Sequence, residues 1–191
     1  AYSKLTEIVI PEGVTEISDS AFYRCSELAQ ISLPTSLKSI GKNAFGYSGL
    51  KYINILEGVT SIGESAFYES EIYVIELPRT LNFIGDRAFI SRNLKDVVYS
   101  GTEAEWGNIS VDYSVNPYLK NATKHYAVVA SGKCGDSAYW YLDQNYVLTI
   151  AGSGCMYDYE PDNQPWLNLR DQMKGVIVGG SVTKIGRSAF Y

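Results

Sequence analysis

Residues 5–27 read LTEIVIPEGVTEISDSAFYRCSE, and the pattern returns as LAQISLPTSLKSIGKNAFGYSG over 28–49, LKYINILEGVTSIGESAFYESE over 50–71 and IYVIELPRTLNFIGDRAFISRN over 72–93. Successive units start 23, 22 and 22 residues apart. A further copy, MKGVIVGGSVTKIGRSAFY, begins at Met173. Apolar residues fall in columns. One holds Ile8, Ile31, Ile53, Ile75 and Val176, and two residues on stand Ile10, Leu33, Ile55, Leu77 and Val178. A spacing of two is the period of a strand with one buried face. Pro11, Pro34 and Pro78 then end the strand, because proline cannot donate to a sheet ladder.

A second pair of columns, Val14/Leu37/Val59/Leu81/Val182 and Ile17/Ile40/Ile62/Ile84/Ile185, is spaced by three and followed by Gly41, Gly63, Gly85 or Gly186. It predicts a short extended or turned segment on the opposite wall. An Ala-Phe pair closes each unit, at Phe22, Phe45, Phe67, Phe89 and Phe190. Twenty-odd residues cannot bury their own apolar face, so successive coils must stack on one shared core. The expected fold is mainly β with short helices or 3-10 turns: a solenoid of about 22-residue coils with a phenylalanine spine, followed by a small β-hairpin module.

The rest of the composition narrows the function. The chain has 191 residues, 46% apolar and 19% charged, which is globular rather than disordered. Sixteen Lys and Arg against 21 Asp and Glu give a net charge of −5, with no dense basic run, so nucleic acid is not an expected partner. The longest apolar runs, Val147 to Ala151 and Val176 to Val178, fall far below the ~20 residues that cross a bilayer. Three cysteines and one histidine, His125, are too few for a zinc or Cys/His catalytic cluster, and no metal or cofactor is expected. Sixteen tyrosines suit either a contact surface or exposed sheet.

The repeats resemble the BspA-like class of leucine-rich repeats, found in bacterial surface proteins and some protists. The resemblance rests on the Leu-x-x-Ile-x-Leu-Pro strand and the Ile-Gly-x-x-Ala-Phe coil, over residues 5–93 and 173–191. Leu56 departs from the strand-ending proline. The cysteine often found after Ala-Phe survives only as Cys25, with Ser48, Ser70 and Arg92 in the other units. The resemblance implies a leucine-rich repeat solenoid, no catalysis, and a secreted or cell-surface protein that adheres to host or microbial extracellular proteins or glycans.

From Leu94 the unit changes. Thr102 with Glu105 three residues on is a capping box and predicts a short helix over Glu103 to Ile109, with Trp106 covering the last coil. In the family, the GTEAEW segment with a closing strand such as His125-Tyr126 looks like the divergent final repeat. Residues 130–172 are similar to a small β module that precedes repeats in such surface proteins. Within them, alternation over Tyr139 to Leu142 and Tyr146 to Ile150 around Asp143-Gln144-Asn145 predicts a hairpin, and Pro165-Trp166 opens a brief helix through Arg170. The expected organisation is therefore an array over 1–129 with its capping repeat at 94–126, a β module over 130–172, and the start of a further array over 173–191. The chain would then be a fragment joining two arrays.

If Asp143 faces Tyr146 across the hairpin, Cys134 faces Cys155 in a non-hydrogen-bonded pair with Cα atoms ~4.5 Å apart, within disulfide range. Two alternatives stand at this point: a Cys134–Cys155 disulfide, or two buried thiols if the nearby glycines break the register.

Catalytic patterns are weak. His125 has no nucleophile motif around it, and Gly152-Ser153-Gly154 reads as a turn. Asp158, Glu160 and Asp162 alternate like a calcium loop, but the glycine is missing and Leu169 stands where the closing glutamate belongs. Asn108 and Asn121 sit in glycosylation sequons that carry no further support.

Side chains between the buried strand columns should form two exposed ladders: Glu7, Gln30, Tyr52, Val74, Asp96 and Val9, Ser32, Asn54, Glu76, Val98. Of these, Glu7, Gln30, Tyr52, Val74, Asp96, Ser32, Asn54 and Glu76 are the candidate ligand-binding residues. The readings kept open are adhesion through this face, an architectural spacer, and a glycan-active enzyme. Both termini lie in or beside a repeat, so uncovered coil faces predict weak head-to-tail self-association.

Overall fold

A computed structural model describes residues 4–191. The chain is mainly β and forms two compact units, one ending at Lys124 and the other spanning His125–Tyr191.

In the first unit the repeats wind into a solenoid with coils of about 23 residues. One wall carries Glu7–Val9 paired in parallel with Gln30–Ser32, and then a four-stranded sheet ordered Thr123–His125, Asp96–Tyr99, Val74–Leu77, Tyr52–Asn54. The opposite wall is a five-stranded sheet of two-residue strands: Ser110–Val111, Phe83–Ile84, Ser61–Ile62, Ser39–Ile40, Glu16–Ile17. The columns are in register, with Ile8 opposite Ile31, Ile53 opposite Ile75, and Ile40 opposite Ile62. Ile40, Ile53, Ile62, Ile75 and Ile84 are all essentially buried.

Phe22, Phe45, Phe67 and Phe89 stack with ring centroids 5.3 Å apart at every step and planes within 12°. Backbone bonds run alongside: the Phe22, Phe45 and Phe67 amides donate to the Ala44, Ala66 and Ala88 carbonyls at 2.7–2.8 Å. The turn that brings each ring inward uses a left-handed residue just before Ala-Phe: Ser20, Asn43, Ser65, Arg87 and Ser188, with φ between 54° and 59°. Gly41, Gly63 and Gly85 are needed for room rather than rotation. A Cβ on Gly63 would lie 2.8 Å from the Gly41 carbonyl carbon, and one on Gly85 would lie 2.5 Å from the Glu64 nitrogen.

The array's far end is closed by residues 100–122. The capping box forms as expected, with Thr102 accepting from the Glu105 amide, though the helix is only Glu103–Trp106. Trp106 is buried edge-on against Tyr99, and its Nε1 donates to the Tyr113 hydroxyl at 2.9 Å. A helix at Pro117–Asn121, which the sequence reading did not anticipate, comes directly after Asn116. The Asn116 side chain is fully buried: its Oδ1 accepts from the Phe89 amide, and its Nδ2 donates to the carbonyls of Gly85 and Asp112.

In the second unit the expected hairpin is present as Ala138–Asp143 and Val147–Gly152, with Val128–Lys133 on one side and Gly175–Val178 on the other. The last strand pairs in parallel with Val147–Gly152, Leu148 facing Val176 and Ile150 facing Val178. The helix after Pro165 is a 3-10 helix at Leu167–Gln172. Trp166 stacks on Phe190 at 5.7 Å and donates from Nε1 to the Ala189 carbonyl at 3.1 Å. It thereby supplies both the ring and the donor that a preceding Ala-Phe coil would offer.

Candidate binding surfaces

The strand ladder is assembled in the expected register, Glu7 opposite Gln30, Tyr52 opposite Val74, Val74 opposite Asp96, and Asn54 opposite Glu76. Its exposure is not uniform. Glu7, Gln30, Ser32 and Asn54 are exposed, and Tyr52 and Asp96 are half-buried. Val74 and Glu76 are buried, at 0% and 7% exposure, which corrects the expectation that they face solvent. The period-two reading assumed one wet face, whereas Val74–Leu77 is buried on both, as strands of parallel sheets commonly are. The Glu76 carboxylate is bonded to the Tyr52 hydroxyl, so a buried acid has a donor.

The Cys134–Cys155 bond is also corrected: both are free thiols, Cys134 fully buried and Cys155 exposed. Two shifts of register account for this, one in the hairpin loop and one beyond the paired strands, where Gly152 and Gly154 take φ of 86° and 79°. Tyr146 takes a left-handed conformation with φ 62°, and the Asp143 carboxylate accepts from the Asn145 and Val147 amides at 2.9 Å. A three-residue loop ending in a left-handed residue adds one position to the expected pairing, so Leu142 faces Leu148 and Tyr139 faces Ala151. Gly135 bridges Met156 rather than its neighbour, and Cys155 points to the Thr183 hydroxyl, 3.8 Å away. Burial pushes the Cys134 thiol up to about 12, so it is inert at neutral pH.

The acidic alternation has a structural occupation. Asp158 accepts from the Arg187 amide at 2.7 Å and pairs with Lys184 at 3.1 Å. The same device joins the first two coils, where Asp19 accepts from the Lys42 amide at 2.7 Å. These contacts hold the Asp158 carboxyl below the usual carboxylate range, the Arg187 amide contributing most. Glu160 pairs with Arg187, and Asp162 with Arg170. His125 packs against Tyr141 with ring centroids 4.3 Å apart and is bonded to its hydroxyl at 2.6 Å. Among the described residues no group of three or more His, Cys, Asp and Glu is arranged to hold a metal ion, and no helix is long and apolar enough to cross a membrane. A cavity of about 590 Å³ beside the 3-10 helix is lined by Trp166, Arg170, Met173, Lys174, Phe190 and a single acid, Asp171, so it does not carry the carboxylate pair of a glycosidase.

One exposed cluster was missed by the sequence reading. Tyr23, Tyr47 and Tyr68 stand after the spine phenylalanines of three successive coils, by one, two and one residues, and their rings lie side by side at 5.7 and 5.6 Å. Tyr23 and Tyr47 remain 39% and 38% exposed. The Arg24 guanidinium lies 5.5 Å from the Tyr23 ring centre and 5.4 Å from that of Tyr47. Gly46 makes the space: a Cβ there would meet the Tyr23 ring at 3.0 Å. Partial desolvation, then Tyr68, Tyr23 and the Glu69 carboxylate, raise the Tyr47 hydroxyl above its usual value. The signal was present in AFYR, AFGYS and AFYES, but at a shifting offset that column reading does not register.

Parallel strands of two to four residues, a stacked phenylalanine spine and a capped end define a leucine-rich repeat solenoid. The chain belongs to the BspA-type leucine-rich repeat family, whose repeat region matches residues 1–116 in six copies. No curated protein matches the chain. Among solved structures, it is similar to a leucine-rich repeat protein from Bacteroides ovatus at 17% identity and TM-score 0.46, over 97% of this chain and 47% of that one. It is also similar to the leucine-rich repeat protein of T. pallidum, at 24% identity and TM-score 0.43, over 50% of this chain and 59% of that one. A third likeness is to a leucine-rich cell surface protein from Faecalibacterium prausnitzii, at 17% identity and TM-score 0.34, over 56% and 63% of the two chains. The chain thus spans about half the length of the first of these.

Proposed function

We propose that this chain is a non-catalytic, binding segment of a bacterial cell-surface or secreted protein, which adheres to extracellular proteins or glycans through its repeat-built exterior. Membership in a repeat family typical of bacterial surface proteins supports the location. The observation that carries the binding reading is the exposed side-chain relief over an interlocked core: Glu7, Gln30, Ser32 and Asn54 on the strand wall, and Tyr23 and Tyr47 on the turn wall. Rigid tyrosine and arginine side chains offer contact area at low entropic cost.

The test is a screen of the labelled, folded chain against immobilised extracellular-matrix proteins and a glycan array. Saturable binding to at least one target is expected. A blank screen with folded protein would instead favour the spacer role, and turnover of a polysaccharide would overturn the non-catalytic reading.

A further inference from the structure

Two coils of this chain carry edges that fit one another. In coil 173–191 the strands Gly175–Val178 and Val182–Lys184 each lie at the edge of their sheet, and in coil 5–27 so do Glu7–Val9 and Glu16–Ile17. Val176, Ile177, Ile185 and Phe190 are 44–56% exposed there. Edge strands with apolar side chains are templates for pairing with another chain.

The junctions inside the array show what such an edge takes. Where coil 5–27 meets the next, the Ser20 amide donates to the Lys42 carbonyl and the Phe22 amide to the Ala44 carbonyl, both at 2.8 Å. The matching donors in coil 173–191 are the Ser188 and Phe190 amides, and the matching acceptors in coil 5–27 are the Asp19 and Ala21 carbonyls. Among the described residues, those amides meet no acceptor and those carbonyls no donor. Phe190 stacks on Trp166 and Phe22 on Phe45, which leaves one face of each ring for the other.

Charge selects the same pairing. Coil 173–191 carries Lys174, Lys184 and Arg187 and no acid, whereas coil 5–27 carries Glu7, Glu12, Glu16, Asp19 and Glu27 against a single arginine. The repeat columns set Glu16 against Lys184 and Asp19 against Arg187. Acid and base already alternate this way along the coils, Lys184 with Asp158 at 3.1 Å and Lys42 with Glu64 at 2.8 Å. Each face set against its own kind would oppose like charges, so the favoured contact is heterologous.

We propose that coil 5–27 of one copy docks on coil 173–191 of another in the register of the internal repeat, so that copies associate head to tail. In that register Val9 stands beside Ile177, Glu16 beside Lys184, and Phe22 over Phe190.

The experiment is sedimentation velocity of the chain from micromolar to millimolar concentration. A sedimentation coefficient that rises with concentration, and rises less in added salt, is expected. Glu16 is exposed, and Glu16→Lys should weaken association roughly fivefold or more with an unchanged circular dichroism spectrum. Oxidative cross-linking in a Cys155→Ser background reads the register. Val9→Cys copies mixed with Ile177→Cys copies should form a disulfide-linked pair, because neighbouring strands lie ~4.8 Å apart. Val9→Cys mixed with Thr183→Cys, on the opposite wall, should not. A chain that stays monomeric at every concentration overturns the proposal, as does association that Glu16→Lys leaves unchanged, or equal cross-linking in the two mixtures. Any of these results would leave the target screen above untouched.

Discussion

The side-chain oxygen of Asn116 accepts the Phe89 amide at 3.2 Å, the role that the Ala88 carbonyl plays for Phe67 one coil earlier. A fully buried side chain thus imitates the backbone of a coil that is not there, and its amide nitrogen ties the same spot to Gly85. Asn116→Leu should fill the volume but orphan the Phe89 N–H, at a cost of about 1–3 kcal/mol in urea unfolding. Unchanged stability would mean that water or a shifted backbone replaces the cap.

The spine makes a graded prediction. Phe45 is fully buried between two rings, whereas Phe22 is half-buried. Phe45→Ala should cost roughly 3–5 kcal/mol, and Phe22→Ala distinctly less. Equal losses in thermal unfolding would contradict a core that deepens away from the first coil.

Two glycines test two mechanisms. A Cβ on Gly63 meets the backbone of the coil beneath, while Gly13 has φ +94° and open space, with nothing within 4 Å of the position a Cβ would take. Gly63→Ala should cost about 1–3 kcal/mol by overpacking and disturb its neighbours. Gly13→Ala should cost roughly 1–2 kcal/mol of local strain, with spectral changes confined to its own turn. Comparing amide shifts of the two variants separates them.

Thiol chemistry adds a test of the slipped hairpin. Under native conditions iodoacetamide should modify Cys155 and spare Cys134 and Cys25, which are buried. Burial raises the Cys134 thiol from its ordinary value near 9.0 to about 12. Its stabilising contribution is complete below pH 9 and is lost as pH rises toward 12, by about 1.4 kcal/mol per pH unit. Cys134→Ala should remove that slope between pH 9 and 10; a slope that persists would assign it to other groups.

Periodicity made the repeats legible, because each packing contact recurs in every coil and leaves a column. The columns from Ile8 to Ile75 and from Ile17 to Ile84 and the phenylalanine spine could be read this way, and the Thr102–Glu105 capping box by its own local spacing. What occurs once leaves no column. Asn116 looks like any loop asparagine, and Tyr146 like any strand tyrosine, yet its left-handed backbone shifts the hairpin register by one residue. Burial of Val74 and Glu76 was hidden for another reason: alternation says which face a side chain takes, not whether that face is wet. The tyrosine strip escaped because its members sit one or two residues past the spine.

The Phe-to-Ala amide ladder joins each coil only to those directly before and after it. Stability in such an arrangement is additive along a line, so damage stays where it is made. Loosening at Glu7–Val9 need not reach Asp96–Tyr99. Evolution can thus rewrite the exterior of one turn without renegotiating the others.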